Sequence, residues 1–330
     1  MKNKSFGVIG AGSWGTALVK MFSENLNSIN WYVRNKVILD GINENKRNLK
    51  YLRHVQLNTK KLNVSNDLYK IIEVSDILII AIPSPYIDST FENHKDLLKD
   101  KIIISASKGV VPKSQLVISQ HFHLNYGIKK TNLGIISGPC HAEEVALEKL
   151  SYLTVGVKRK ALGNYISENL KSKFIKTSVS TDIIGIEYSA TLKNIYSILV
   201  GISHGLGYGD NFLSVLISHC AKELKLFIRT IHQTKRDINH SAYIGDLLVT
   251  TYSTFSRNRT FGNMIGKGYS VKSAMSEMSM VVEGYYATKN AYEITKNKND
   301  DFLFIESVYK ILYNGNSPKK MLKEISEKLY

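Results

Sequence analysis

The pattern of apolar and polar positions divides the chain into two halves with different predicted structures. In the first half, short apolar runs alternate with longer segments such as 14–26 and 161–171, whose apolar residues recur at helical spacing. The apolar runs predict seven strands, at residues 6–10, 29–33, 76–82, 101–107, 133–137, 153–157 and 174–180. Most of these runs are continuously apolar, which is typical of parallel strands buried on both faces. The alternation predicts a doubly wound parallel α/β domain over residues 1–182.

From residue 183 onward, strand signals nearly vanish. The segments "IIGIEYSATLKNIYSILVGISHGLG" (183–207) and "NFLSVLISHCAKELKLFIRTI" (211–231) are long and apolar at helical spacing. Further helical patterns follow at 282–296, 303–313 and 318–330. We therefore predict a second, all-helical domain over residues 183–330 that carries the substrate-binding and catalytic groups.

A glycine-rich turn follows the first predicted strand. Gly10, Gly12 and Gly15 form the pattern G-x-G-x-x-G between that strand and a helical segment. Such glycines allow a tight turn, bring the backbone close to a pyrophosphate, and let helix and strand pack closely. The helix N-terminus then offers N–H groups to the phosphates. This arrangement predicts a Rossmann-like dinucleotide site.

Arg34 stands at the end of the second strand, where sites that prefer NAD usually carry an acidic residue. An arginine can instead pair with the 2′-phosphate of NADP. The alternative is a solvated loop arginine that contacts no ligand.

Polar residues in the second half are candidates for the chemistry. Lys193 lies in the apolar segment "SATLKNIYSILVG", beside Asn194. A lysine in apolar surroundings can exchange a proton near neutral pH, and the amide could orient a substrate or a water. The alternative is that Lys193 extends along its helix to solvent.

A second cluster offers anion-binding groups. Ser256, Arg257, Asn258 and Arg259 place hydroxyl, guanidinium and amide donors on a predicted short loop, which suits a phosphate or carboxylate. Asp246 precedes them and could accept a bond from a substrate hydroxyl. Lys108 follows the predicted strand at 101–107, and the carboxyl ends of such strands face the ligand. The alternative for the 256–259 segment is a solvated polar loop.

Charge and composition narrow the function classes. The chain has 44 Lys and Arg against 28 Asp and Glu, a net charge of +16, but the lysines are spread along the whole length. We therefore expect attraction of small anionic substrates rather than nucleic-acid binding. No apolar run reaches the length of a membrane span, so we expect no membrane insertion.

The N-terminal segment lacks the apolar core of a signal peptide, and the two cysteines form no C-x-x-C pair, so we expect a cytoplasmic protein. His121 and His123 lack neighbouring ligands at metal spacing, and we expect no metal. Neither Cys140 beside His141 nor Cys220 predicts a catalytic thiol, and Cys220 is expected in the core.

Six blocks now carry a resemblance over residues 7 to about 320. They occur in the order "GAGSWGTALV", "SASKGV", "GPCHAEEVA", "ATLKNIYSI", "GDLLVTTYSTFSRNR" and "VVEG". Together they resemble the NAD(P)-dependent glycerol-3-phosphate dehydrogenases of bacteria. The resemblance implies reversible hydride transfer between NADPH or NADH and dihydroxyacetone phosphate. The product would be sn-glycerol 3-phosphate for phospholipid synthesis, without a metal.

The resemblance also implies roles for individual residues. Lys193 would be the proton carrier. Substrate contacts would come from Lys108, Gly138, Lys193, Asp246, Ser256, Arg257 and Asn258. Cofactor contacts would come from Gly10, Gly12, Ser13, Trp14, Gly15, Arg34, Lys108, Cys140, Ala142, Arg257, Val281 and Glu283. Cys140 departs from the family pattern, which has serine there, and a thiol is the weaker hydrogen-bond donor.

The sequence leaves two rival interpretations open. One is another two-domain dehydrogenase that acts on a different hydroxy acid. The other is a non-catalytic dinucleotide sensor or nucleic-acid binder that uses the positive charge. The sequence also leaves open whether the protein forms a homodimer.

Overall fold

A computed structural model describes residues 4–329, which divide into two units between Ile186 and Glu187. The first unit contains all the strands found in the described residues. They are β1 (Phe6–Ile9), β2 (Ile29–Tyr32), β3 (Leu62–Ser65), β4 (Ile77–Ile80), β5 (Ile102–Ser105), β6 (Val110–Val111), β7 (Leu116–Val117), β8 (Leu133–Ser137), β9 (Ser151–Val157) and β10 (Ile175–Ser180). Strands β6 and β7 pair only with each other, and the remaining eight form one sheet in the order β10-β9-β8-β5-β4-β1-β2-β3.

Helices connect these strands. The α-helices of the first unit are α1 (Ser13–Ser23), α2 (Lys36–Asn45), α3 (Leu68–Glu73), α4 (Ile87–Phe91), α5 (Lys95–Leu98), α6 (Ile118–Tyr126), α7 (Ala142–Ala146) and α8 (Lys160–Leu170). The doubly wound fold predicted from the sequence is confirmed. Strand β1 lies between β2 and β4, so the chain order reverses there, which is the usual position for a ligand in such sheets.

The sheet is buried on both faces, and this explains the continuous apolar runs. Along β4, Ile77 and Ile79 belong to one core cluster, whereas Leu78 and Ile80 belong to another. Because successive side chains point to opposite faces, every residue of such a strand must be apolar.

Two features of the sheet differ from the sequence prediction. Strand β9 runs antiparallel to β8, although all other neighbours in the large sheet are parallel. An apolar run signals burial on both faces but carries no information on strand direction. Strand β3 was not predicted, because it lies at the edge of the sheet and none of its residues is buried.

The second unit contains helices and connecting loops but no strand in its described residues, as predicted. Helix α9 (Ile183–Gly205) begins just before the division between the units. It is followed by α10 (Asp210–Ile231), α11 (Asp246–Tyr252), α12 (Arg257–Gly266), α13 (Val271–Glu277), α14 (Glu283–Thr295), α15 (Leu303–Asn314) and α16 (Pro318–Lys328). A short π-helical turn, Ser241–Gly245, leads directly into α11.

Helices α9 and α12 approach each other through glycines. A Cβ atom on Gly201 would lie 2.2 Å from the Arg259 carbonyl oxygen, and one on Gly262 would lie 2.1 Å from the Ile198 carbonyl oxygen. Gly205 and Gly266, one turn further along each helix, are equally tight, at 2.4 and 2.3 Å. We refer to Gly201, Gly205, Gly262 and Gly266 as the four-glycine contact. Only residues without a Cβ allow the two backbones this close.

Candidate active site

The predicted glycine turn connects β1 to α1, and each glycine has a distinct environment. Gly10 adopts a φ of +119°, and a Cβ there would lie 2.5 Å from the Ala81 carbonyl oxygen. A Cβ on Gly15 would lie 2.2 Å from the Gly10 carbonyl oxygen. Gly12, by contrast, has no atom within 4 Å of its Cβ position and precedes the first residue of α1, Ser13. The turn thus has two glycines packed against protein and one that faces open space at a helix N-terminus, which fits a pyrophosphate.

Side chains from other elements hold this turn in place. The Asn48 amide is fully buried and donates to the Ala11 carbonyl oxygen at 2.9 Å and to the Thr16 hydroxyl at 2.8 Å. The Trp31 indole donates to the Gly10 carbonyl oxygen at 2.9 Å. Trp14, on α1, donates to the Ala106 carbonyl oxygen at 2.8 Å, just beyond β5. The backbone of the turn is therefore fixed before any cofactor binds.

The other predicted residues of the first unit follow the carboxyl ends of neighbouring strands. Lys108 follows β5, and Gly138 follows β8, which is parallel to β5. Gly138 has a φ of +145°, and a Cβ there would lie 2.5 Å from the Tyr152 carbonyl oxygen. Cys140 and Ala142 are each 7% exposed at the start of α7. These residues therefore lie along the same edge of the sheet as the glycine turn.

Arg34 follows β2, which pairs with β1 at this edge. Its side chain is exposed, and its guanidinium carbon lies 6.0 Å from the centre of the Tyr86 ring. An exposed arginine beside an aromatic ring is available to an incoming phosphate or adenine. Whether Arg34 reads a 2′-phosphate stays a prediction.

In the second unit, Lys193 does not extend to solvent. It lies on α9 with its side chain 3% exposed, and its Nζ donates to Oδ1 of the fully buried Asp246, the first residue of α11. The sequence predicted that Asp246 could accept a hydrogen bond from a substrate hydroxyl. The structure shows in addition that Asp246 forms an ion pair with Lys193, the predicted proton carrier. Buried charges of this kind persist when each compensates the other.

Residues 256–259 do not form the predicted loop. Ser256 caps α12 by accepting a hydrogen bond from the Arg259 amide at 3.3 Å, and residues 257–259 form the first turn of that helix. Serine is a favoured N-cap residue, so the polar run that suggested a loop is a helix start. The side chains of residues 257–259 thus lie at a helix N-terminus, where an anion is stabilised by free N–H groups.

The segment that contains Val281 and Glu283 lies against this helix start. Asn258 Oδ1 accepts a hydrogen bond from the Gly284 amide at 3.0 Å. The exposed Arg257 guanidinium lies 3.4 Å from the Met280 sulfur. The structure therefore brings the two sequence blocks "SRNR" and "VVEG" together, although they are separated along the chain.

Asn194, the neighbour of Lys193, has an unusual environment. Its side chain is 4% exposed, and its Nδ2 has no hydrogen-bond partner. A buried donor without a partner costs free energy unless a ligand or water satisfies it. The Asn194 amide is therefore available to donate to a ligand or a water.

Sequence reasoning missed three polar residues that organise these groups. Asn48 holds the glycine turn, as described above. Ser197 and Thr250 lie one turn beyond Lys193 and Asp246 on their respective helices, and Ser197 donates to the Thr250 carbonyl oxygen at 2.9 Å. The sequence gives no local signal of these contacts, because the partners of each residue are distant in sequence.

His121 and Cys220, to which the sequence assigned no function, lie in the interior of the protein. His121 is 1% exposed on α6, and its Nδ1 lies 2.9 Å from both the Ser114 hydroxyl and the Asn125 amide. Burial lowers the pKa of His121. Cys220 is fully buried, as predicted. Within residues 4–329, no group of three or more His, Cys, Asp or Glu residues is placed to hold a metal, and no helix there could cross a membrane.

Comparison with family models matches both units. Residues 5–163 match the model described as NAD-dependent glycerol-3-phosphate dehydrogenase N-terminus, and residues 182–323 match the corresponding C-terminus model. A relative from Bacillus pumilus, named glycerol-3-phosphate dehydrogenase [NAD(P)+], is 32% identical over 314 residues, covering 94% of this chain and 91% of the relative. A relative of the same name from Staphylococcus aureus is 31% identical over 97% of both chains.

Solved structures share the fold. The glycerol-3-phosphate dehydrogenase of Coxiella burnetii superimposes with a TM-score of 0.91 at 24% identity, covering 99% of both chains. The Plasmodium falciparum glycerol-3-phosphate dehydrogenase gives 0.86 at 23% identity, covering 97% of this chain and 94% of that one.

Proposed function

Because this chain belongs to the NAD-dependent glycerol-3-phosphate dehydrogenase family, we propose that it interconverts dihydroxyacetone phosphate and sn-glycerol 3-phosphate with NADPH or NADH. The observation that carries the proposal is the buried pair of Lys193 and Asp246; Asn194, on the same helix as Lys193, adds a buried amide donor without a hydrogen-bond partner. An ammonium group and an amide donor are the groups that a ketone oxygen requires as it becomes an alkoxide.

Lys193 transfers the proton in this proposal. In the reducing direction its ammonium stabilises negative charge on the former ketone oxygen and then gives that oxygen a proton. In the oxidising direction the neutral amine takes the hydroxyl proton. Asp246 holds the lysine side chain in one direction and balances its charge in a site that excludes most water.

The start of α12 binds the substrate phosphate. Arg257 offers a guanidinium, and Ser256 and Asn258 fix the first turn, whose backbone N–H groups point toward an anion. A grip on the phosphate, away from the reacting carbon, restricts the substrate to orientations that can react.

The glycine turn holds the cofactor. The open position at Gly12 and the N-terminus of α1 fit its pyrophosphate, and Trp14 and Asn48 fix the surrounding backbone. The cofactor supplies the hydride when it is bound.

The experiment that tests the proposal is oxidation of NADPH and of NADH in the presence of dihydroxyacetone phosphate. We expect turnover by the wild-type protein, and a loss of at least about 10²-fold in the Lys193→Ala variant with cofactor binding retained. Normal turnover in that variant would remove Lys193 from the chemistry. A panel of hydroxy acids in the reverse direction separates this function from that of a dehydrogenase with another substrate.

The proposal also includes a cytoplasmic location and a homodimer. Both cysteines are buried and form no disulfide, which is consistent with a reducing compartment. Light scattering on the purified protein measures the mass in solution and decides between monomer and dimer.

A further inference from the structure

Ser197 is a buried residue to which the sequence assigned no role, although it lies in the block "ATLKNIYSI", and it joins three helices. It lies on α9 one helical turn after Lys193 and is fully buried. Its Oγ lies 2.9 Å from the Thr250 carbonyl oxygen of α11 and 2.8 Å from the hydroxyl of Ser256, the N-cap of α12. One hydroxyl therefore contacts the helix of Asp246 and the helix that begins with Arg257.

The hydrogen bonds around Ser197 can be assigned a single direction. The Thr250 carbonyl can only accept, so the one proton of Ser197 points to it. Ser197 then accepts the proton of Ser256, and Ser256 in turn accepts the Arg259 amide N–H at 3.3 Å. Each hydroxyl donates once and accepts once. A fully satisfied buried chain of this kind fixes the atoms that it connects.

Helices α9 and α11 consequently touch at two successive turns. The first contact is the ion pair of Lys193 and Asp246, and the second is the bond from Ser197 to Thr250. Thr250 also returns a hydrogen bond from its Oγ1 to the Asp246 carbonyl oxygen at 2.6 Å. The Lys193–Asp246 pair and the start of α12 are thus connected by a series of hydrogen bonds that includes the Ser197 hydroxyl.

We propose that Ser197 is a positioning residue for the substrate phosphate. It sets the distance between the Lys193–Asp246 pair and the first turn of α12, so that a substrate held by its phosphate at Arg257 presents its carbonyl to Lys193. This inference rests on the proposed function. It predicts that loss of the Ser197 hydroxyl weakens substrate binding through the phosphate and leaves proton transfer largely intact.

The chain offers a matched control on the same helix. Ser203 is also fully buried on α9, but its Oγ donates to the Leu199 carbonyl oxygen of its own helix at 2.9 Å. Replacing Ser203 by alanine removes the same atom from an equally buried position without interrupting the chain to α12. A general effect of a buried Ser→Ala change on stability would appear in both variants.

The experiment compares Ser197→Ala with Ser203→Ala in steady-state kinetics with dihydroxyacetone phosphate. For Ser197→Ala we expect the KM for dihydroxyacetone phosphate to rise about tenfold, with kcat reduced less than about threefold and the cofactor KM unchanged. Inorganic phosphate, used as a competitive inhibitor, should show a Ki that rises in parallel. The shape of the kcat–pH profile should be unchanged, because Lys193 and Asp246 are intact. Ser203→Ala should match the wild type in both KM values, in kcat, in the phosphate Ki and in the kcat–pH profile.

Three results would overturn the proposal. One is an unchanged KM and phosphate Ki in Ser197→Ala, and another is the same KM rise in Ser203→Ala. The third is a loss confined to kcat, which would assign Ser197 to the chemical step instead. If Ser197→Ala does not fold, Ser197→Cys decides, because a thiol keeps the size but donates weakly and should still raise the KM. A wild-type protein that does not reduce dihydroxyacetone phosphate refutes the proposed function itself, whereas an active wild type with an unaltered Ser197 variant refutes only the positioning.

Discussion

Removal of the Asp246 carboxylate tests whether the second unit depends on its buried ion pair. Asp246→Ala leaves the Lys193 ammonium, on a side chain that is 3% exposed, without its charged partner. The protein must then either expose the lysine, neutralise it or bury an unbalanced charge. Each of these alternatives costs free energy that the wild type does not lose.

The magnitude follows from the burial of both partners. Breaking a buried pair by removing one member costs about 3–5 kcal/mol. For a unit of the size of Glu187–Tyr330, each kcal/mol shifts the unfolding midpoint by roughly 2–4 °C. We therefore expect the midpoint of Asp246→Ala to fall by about 6–20 °C. Turnover should also fall, because Lys193 loses the group that directs it.

The assay is urea and thermal unfolding of the wild type, Asp246→Ala, Lys193→Met and the double variant. The double variant removes both charges, so its loss of stability should be at least about 1 kcal/mol smaller than the sum of the single losses. Strict additivity would mean that the two side chains do not interact in solution, and it would refute the reasoning from burial. A destabilisation of Asp246→Ala below about 1 kcal/mol would do the same.

Two other predictions follow from residues outside this pair. Arg34→Asp should weaken NADPH binding about 10- to 100-fold more than NADH binding, the range for a lost charge-assisted hydrogen bond. Isothermal titration with both cofactors measures the two affinities, and Lys36→Asp is the control. Equal losses for both cofactors would exclude a contact with the 2′-phosphate. Burial raises the pKa of Glu223, which accepts two backbone N–H groups at the start of α15, to about 8. Because this folded-state pKa exceeds the unfolded value, the free energy of unfolding should decline as pH rises from about 4.5 through 8. In Glu223→Gln this free energy should decline less steeply with pH. Glu293→Gln, an exposed control, should follow the wild type.

The main architecture could be predicted because the apolar residues follow clear strand and helix patterns along the sequence. Continuous apolar runs such as 77–80 identified the buried strands, and the loss of such runs after 183 identified the helical unit. The same signals could not report strand direction, so the antiparallel pairing of β8 with β9 was not predicted. The half-exposed edge strand β3 carried too little apolar character to be recognised.

The family was predicted correctly from six ordered blocks, and the matches over residues 5–163 and 182–323 confirm it. The individual site contacts were harder to predict. A lysine in an apolar segment is equally compatible with a buried partner or with solvent, and only tertiary structure shows that Asp246 accepts its hydrogen bond. The polar run at 256–259 suggested a loop because N-cap and loop preferences overlap in composition.

Asn48 and Ser197 show why supporting residues escape sequence reasoning. Asn48 reaches back to Ala11 and Thr16, and Ser197 reaches forward to Thr250 and Ser256. The sequence assigned neither residue a role, since each acts through partners that become neighbours only after folding.

The four-glycine contact has a consequence for how the first turn of α12 keeps its place beside α9. Where two helices meet through long side chains, their separation can drift as those side chains exchange rotamers. Here main chain rests on main chain at Gly201 and Gly262, which have no rotamers to exchange. The closest approach of α9 and α12 is consequently set by main chain and does not depend on side-chain rotamers, whereas α11 is joined to both helices through the Ser197 hydroxyl.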